Sequence, residues 1–234
     1  MSEERIDSTN INYDKLPEYA KKLDSIFQYN RDINKTAYMN WRTGFADGSR
    51  KQFIIIGESF FTSAYHLIKE CLDDNSDKKA DSWIFPILFN VVHGMELYLK
   101  AIDSALSAIL EKKRGITEGG HDLKTLCGTA RNLVIEYKNL HKDNTSEQMF
   151  TAIKVVERFI DNIYAKTNDM TFARYPMAKD KNGQFYIQNL ENEVVDLVLL
   201  QNQVSMVYHM LEFIYDMPTL EIEMNAEAMK DFYY

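Results

Sequence analysis

Residues Phe85–Gly115 read FPILFNVVHGMELYLKAIDSALSAILEKKRG, and this stretch decides the fold. Its length and helical apolar spacing predict one long helix, since strands of that length are rare. Three polar residues interrupt it in register. His93, Glu96 and Lys100 stand at i, i+3 and i+7, so they share one face. Burying charge is costly unless the groups pair. That face is therefore either solvated or a paired polar network inside a bundle. The helix is expected to fade at Arg114-Gly115. A glycine-bearing loop, 116–120, then leads into Gly120-His121-Asp122-Leu123, which opens a shorter helix over about 122–137.

Working outward, a helix is expected over about 51–72, with Phe53, Ile56, Phe60, Ala64, Leu67 and Cys71 as its apolar stripe. The polar stretch 73–81, DDNSDKKAD, separates it from the long helix, for which Ser82 is the expected N-cap. Residues 138–146 form a second polar break. Thr145 or Ser146 is the expected cap of a helix over 147–165, whose buried face is Phe150, Ile153, Val156, Phe159, Ile160 and Ile163. Residues 167–189 read as non-helical, with Asp180-Lys-Asn-Gly183 as a hairpin turn signal. The last long helix is expected over 192–215 and to end before Pro218. Residues 16–27 are expected to form a short helix, and 40–49 read as a loop. The domain reading is an N-terminal extension, 1–50, a helical bundle, 51–216, and an acidic–apolar tail, 217–234. The fold class is all-α, an antiparallel bundle of four to five long helices with a small hairpin or ordered loop before the last.

The chain has 234 residues, 45% of them hydrophobic, which is enough for a sizeable core. A net charge of −8 argues against a broad phosphate-binding surface, though a local RNA site remains compatible with it. The two cysteines, Cys71 and Cys127, have no metal-type spacing and sit on apolar helical faces, where a thiol is inert. Such sparse cysteine usage, with no apolar leader and no apolar run long enough for a membrane span, leads to the expectation of a cytoplasmic, reduced protein with no membrane contact. The chain carries no Walker loop, dinucleotide fingerprint, Gly-x-Ser-x-Gly elbow or His-Glu-x-x-His, and no cofactor is expected.

Several strings in sequence order resemble HEPN domains, the helical bundles of prokaryotic toxin–antitoxin, abortive-infection and related defence proteins. They are Phe61-Thr-Ser-Ala-Tyr65, His93-Gly-Met-Glu-Leu-Tyr-Leu-Lys100 followed by Ala101, Gly120-His-Asp-Leu123, and Arg174-Tyr-Pro176 before the last long helix. The resemblance covers about 51–216. It implies a metal-independent endoribonuclease whose arginine and histidine, with four to six residues between them, converge on RNA from paired protomers. Arg114-GITEGG-His121 is the segment that matches. Arg114 would then stabilise charge on the phosphoryl oxygens and His121 would act as acid or base. The glycines in the spacer, and Leu123 where the family carries an aromatic residue, depart from that pattern. The resemblance also implies a homodimer or a helical partner protein.

Each constellation has a plainer reading. Arg114 could cap a helix C-terminus, with His121 a loop residue beside Asp122 at the next helix start. His93, Glu96 and Lys100 could be a structural ion-pair network. Arg174 and Tyr175 could contact an anion or nucleotide, or Arg174 could anchor the loop by pairing with a bundle carboxylate, Glu96 above all. His209 and Glu212 repeat the His-x-x-Glu spacing of His93 and Glu96. Together the two pairs hold ingredients of a bundle metal site, with Glu58 or Glu70 as further donors, but no metal is assigned. Two functions follow: a ribonuclease using Arg114 and His121, or a non-catalytic HEPN-like module that binds a small ligand or partner protein through His93, Glu96, Lys100, Asp122, Arg174 and Tyr175.

Overall fold

A computed structural model of the chain describes residues 11–22, 25–39, 48–113, 120–167, 170–175 and 193–231. Two compact units are present, Met1–Met39 and Asn40–Tyr234. In the first, a 3-10 turn at Tyr13–Lys15 runs into helix α1, Leu16–Lys22, and a second 3-10 turn lies at Ile33–Lys35.

The second unit holds α2 (Gly48–Asp73), α3 (Ala80–Ile109), α4 (Leu123–His141), α5 (Asn144–Tyr164) and α6 (Leu197–Asp231), with a 3-10 turn at Met170–Ala173. Among the described residues there is no strand, and the all-α class stands. The predicted hairpin at 180–183 lies outside the described residues.

Packing follows the apolar stripes. Helix α3 carries Ile87, Val91, Met95, Leu99, Ile102 and Leu106, all fully buried, and it packs on α2, α4 and α6. Glu70 meets Lys79, Phe60 meets Phe89 and Gly57 meets Tyr98, so positions rise on α3 as they fall on α2, and the pair is antiparallel. Gly57 and Gly94 set how closely the two helices approach. A Cβ on Gly94 would lie 2.9 Å from the Phe61 ring and 3.2 Å from the Gly57 carbonyl oxygen. The buried stripe of α2 is Gly57, Phe61, Ala64, Ile68 and Cys71, turned slightly from the predicted one, which leaves Ile56 largely exposed.

Helices α4 and α5 form a second antiparallel pair. Lys138 reaches Glu147, Arg131 reaches Glu157 and Lys124 reaches Asp161. Only Lys142 and Asp143 connect them, and the turn closes because Lys142 takes the left-handed conformation at φ 54°. Asp143, rather than Thr145 or Ser146, caps α5, and Ser146 completes a capping box with it. The cap moved because the box pairs residues three apart, so the predicted Ser146 is its N3 member.

Two other predicted boundaries also moved. Helix α3 starts at Ala80, not after Ser82, because the Asn75 side chain accepts the Ala80 N–H at 2.9 Å. Helix α6 runs through Pro218 to Asp231. A proline inside a helix removes one backbone bond. The helix continues past it, and the Thr219 hydroxyl bonds back to the Tyr215 carbonyl at 2.9 Å. The predicted tail is therefore mostly helix.

Candidate functional site

The site is built around one carboxylate. Glu96 sits midway along α3 and is only 7% exposed, as is Lys100 one turn later. Helical spacing brings the Lys100 ammonium to 2.7 Å from Glu96 Oε1. The same Oε1 meets His121 Nδ1, also at 2.7 Å. His93, one turn before, places Nδ1 3.7 Å from Oε2. Burial resists ionisation of Glu96, but the hydrogen bonds from His93, Lys100 and His121 outweigh it and hold the carboxyl down at about 2. Glu96 is thus an anion throughout the neutral range.

Local chain geometry delivers His121. Gly120 takes a left-handed φ of 69°, a conformation glycine adopts without strain. Asp122 then caps α4, accepting the Thr125 N–H at 2.7 Å, and it takes a second bond from the Tyr164 hydroxyl at 2.9 Å. Burial opposes ionisation of Asp122, and the bonds from Thr125 and Tyr164 nonetheless lower its pKa. Asp122 is therefore an anchor that ties the turn before α4 to the end of α5. With that turn fixed, His121 leans onto Glu96 while its side chain remains 84% exposed.

An ionised carboxylate accepts hydrogen bonds only. The proton on the neutral His121 ring must then be on Nδ1, donated to Glu96, which leaves Nε2 with a free lone pair facing solvent. A buried carboxylate that orients an exposed imidazole in this tautomer is one arrangement that acid–base catalysis can use. His93 is held differently, edge-on to Phe60 at 4.5 Å between ring centroids and stacked on Phe89 at 5.8 Å.

The polar stripe of α3 continues beyond the residues singled out from sequence. Asp103 and Ser107 are buried on the same face, and the Ser107 hydroxyl donates to Asp103 at 3.2 Å. Their spacing from Glu96, i+7 and i+11, was the available signal.

Arg174 is a correction. Glu96 is satisfied by Lys100, His121 and His93, and Arg174 is not among its partners. Arg174 is exposed, with its guanidinium 5.7 Å from the centroid of the Tyr175 ring. The loop is anchored instead by Phe172 and Ala173, which pack on Leu88 and Phe89 of α3 and Ile163 of α5. Lys100, one turn from Glu96 on the same helix, supplies the cation at far lower conformational cost than a loop arginine. Arg114 lies outside the described residues.

His209 and Glu212 form a separate cluster on α6. His209 Nδ1 lies 3.0 Å from Glu212 Oε2, and the Tyr208 hydroxyl donates to Oε1 at 2.6 Å. Behind Tyr208 is the buried Tyr98 hydroxyl, whose pKa burial and Tyr208 both raise. The two His-x-x-Glu pairs do not converge, and among the described residues no three His, Cys, Asp or Glu side chains come together as metal ligands. Both cysteines are free and buried. Burial pushes the Cys127 thiol up to about 12, far from a reactive thiolate.

Compared with protein-family models, with curated proteins and with solved structures, the chain has no match.

Proposed function

We propose that this chain is an HEPN-like protein of a prokaryotic defence or toxin–antitoxin system and that it cleaves RNA without a metal ion. The observation that carries the reading is the Glu96–His121 pair, a buried anion holding an exposed imidazole with Nε2 turned to solvent. In this scheme His121 Nε2 takes the proton from the ribose 2′-hydroxyl or returns one to the leaving 5′-oxygen. Glu96 fixes the tautomer and keeps its hydrogen bond to the imidazolium that forms. Arg114, seven residues earlier in sequence, would face the phosphoryl oxygens, with two protomers pairing to complete the cleft. Lys100 neutralises Glu96, so the cluster gains net positive charge when His121 protonates, which suits a phosphate.

The test is cleavage of single-stranded and structured RNA in EDTA. The proposed chemistry expects cutting, with losses of about a hundredfold or more in His121→Ala and Arg114→Ala. Light scattering on the same samples is expected to show a dimer.

The second reading is a non-catalytic module that binds a ligand or partner protein. It is favoured by Lys100, which already saturates Glu96 inside the fold, and by the acidic composition of the chain. On that reading RNA stays intact and His121→Ala weakens partner binding instead.

A further inference from the structure

The C-terminal part of α6 carries an apolar ridge that the bundle only half uses. Met217 packs against the core, but Leu220 is 49% exposed and Met224 68% exposed. These three stand at i, i+3 and i+7, a continuous stripe on one helix. Asp216, Glu223 and Glu227 stand one position before or three after them and form a parallel row of carboxylates along its flank. From 223 to 229 every residue is exposed. Where the ridge meets α2 there is an open groove of about 470 Å³, lined by Ile54, Ile55, Met217 and Leu220 and rimmed by Asp216, Glu223 and the cation Lys51.

We propose that this ridge is a docking site for a basic amphipathic helical segment of a partner protein. Helix-in-groove recognition needs apolar anchors at i, i+3 and i+7 and a rim of opposite charge. Methionine suits such a surface because its flexible, polarisable side chain adapts to varied partners. Charge selects the occupant. Residues 212–231 hold six carboxylates, at 212, 216, 221, 223, 227 and 231, against the single Lys230. Pairing this helix with a second copy of itself would set carboxylates against carboxylates, and nucleic acid would be repelled. Glu223 already takes one ammonium, from Lys51 of α2 at 3.4 Å. Burial and the charge of Glu212 raise the pKa of Asp216, a strain that an arriving cation would relieve. This docking is independent of the chemistry at His121.

The probe is a fluorescent leucine–lysine peptide of about five helical turns with leucines at helical spacing. Its control is a scrambled peptide of the same composition. Fluorescence anisotropy is expected to show micromolar binding of the patterned peptide only. Met224→Lys and Glu223→Lys are each expected to weaken it by about tenfold or more. Both positions are exposed, and thermal melts check that the variants stay folded. In the unaltered chain, methyl NMR is expected to show Met217 and Met224 shifting as peptide is added, with core Met95 and Met149 unmoved. Equal binding of the scrambled peptide, no binding at all, or methyl shifts elsewhere would overturn the proposal. Self-association abolished by Leu220→Asp with Met224→Asp would also overturn it, because the ridge would then belong to a second copy.

Discussion

Two helices of this molecule carry the same short pattern, His-x-x-Glu, and put it to different use. On α3, His93 and Glu96 are joined by Lys100 one turn on and by His121 from a turn 25 residues away. On α6, His209 and Glu212 stand half out of the bundle, His209 64% exposed, and their added partner is Tyr208 of the same helix. Spacing supplies the first contact in both cases. What separates them is burial and the arrival of another element. Of these two pairs, only the one on α3 receives an imidazole from a second chain segment. A motif read along one helix therefore gives half a site, and the tertiary fold gives the other half.

The sharpest way to break this contrast is truncation of each carboxylate. Glu96→Ala leaves Lys100 buried without its partner, and losing one member of a buried pair typically costs about 3–5 kcal/mol. Chemical denaturation of the two variants is expected to show that loss for Glu96→Ala. Glu212→Ala, with its partners near water, is expected to lose about 1 kcal/mol. Equal losses would dissolve the distinction.

Acid titration sharpens it further. The Glu96 carboxyl is depressed in the folded state, so its stabilisation is fully present above the ordinary glutamate range. It is lost as pH falls through about 2. The wild type is expected to lose roughly 2–3 kcal/mol more than Glu96→Gln across that acid window. Parallel acid-unfolding curves for the two proteins would contradict the assigned pairing.

A smaller effect tests the scaffold beneath the α3 site. Gly94→Ala places a methyl against Phe61 and the Gly57 carbonyl, and the expected loss is about 1–3 kcal/mol. The smallest effect is expected at Arg174. Its alanine variant is predicted to melt with the wild type, since an exposed arginine with no ion pair among the described residues contributes little.

Much of this frame was legible in the sequence. Apolar periodicity located the five long helices of the described residues, and the polar interruptions at His93, Glu96 and Lys100 marked the face that holds the candidate site. Helix ends were less legible. Asn75 displaced Ser82 at the start of α3, Asp143 displaced Ser146 as the cap of α5, and Pro218 failed to stop α6. Each outcome turned on one side-chain bond or one lost backbone bond, small terms that local pattern does not rank. The meeting of His121 with Glu96 was not legible at all. It depends on the left-handed turn at Gly120 and the Asp122 clamp to Thr125 and Tyr164, and neither shows in the spacing of the two residues. The same blindness assigned Glu96 to Arg174, because charge alone names possible partners without saying which arrives.

The most direct test of the account is single-turnover RNA cleavage in EDTA by the wild type, Glu96→Gln, His121→Ala and His209→Ala, each first shown to be folded. The account predicts cleavage by the wild type, a loss of about a hundredfold or more in Glu96→Gln and His121→Ala, and an unchanged rate in His209→Ala. A wild type that leaves every RNA intact, or cleavage that survives both changes at the α3 site, would contradict it.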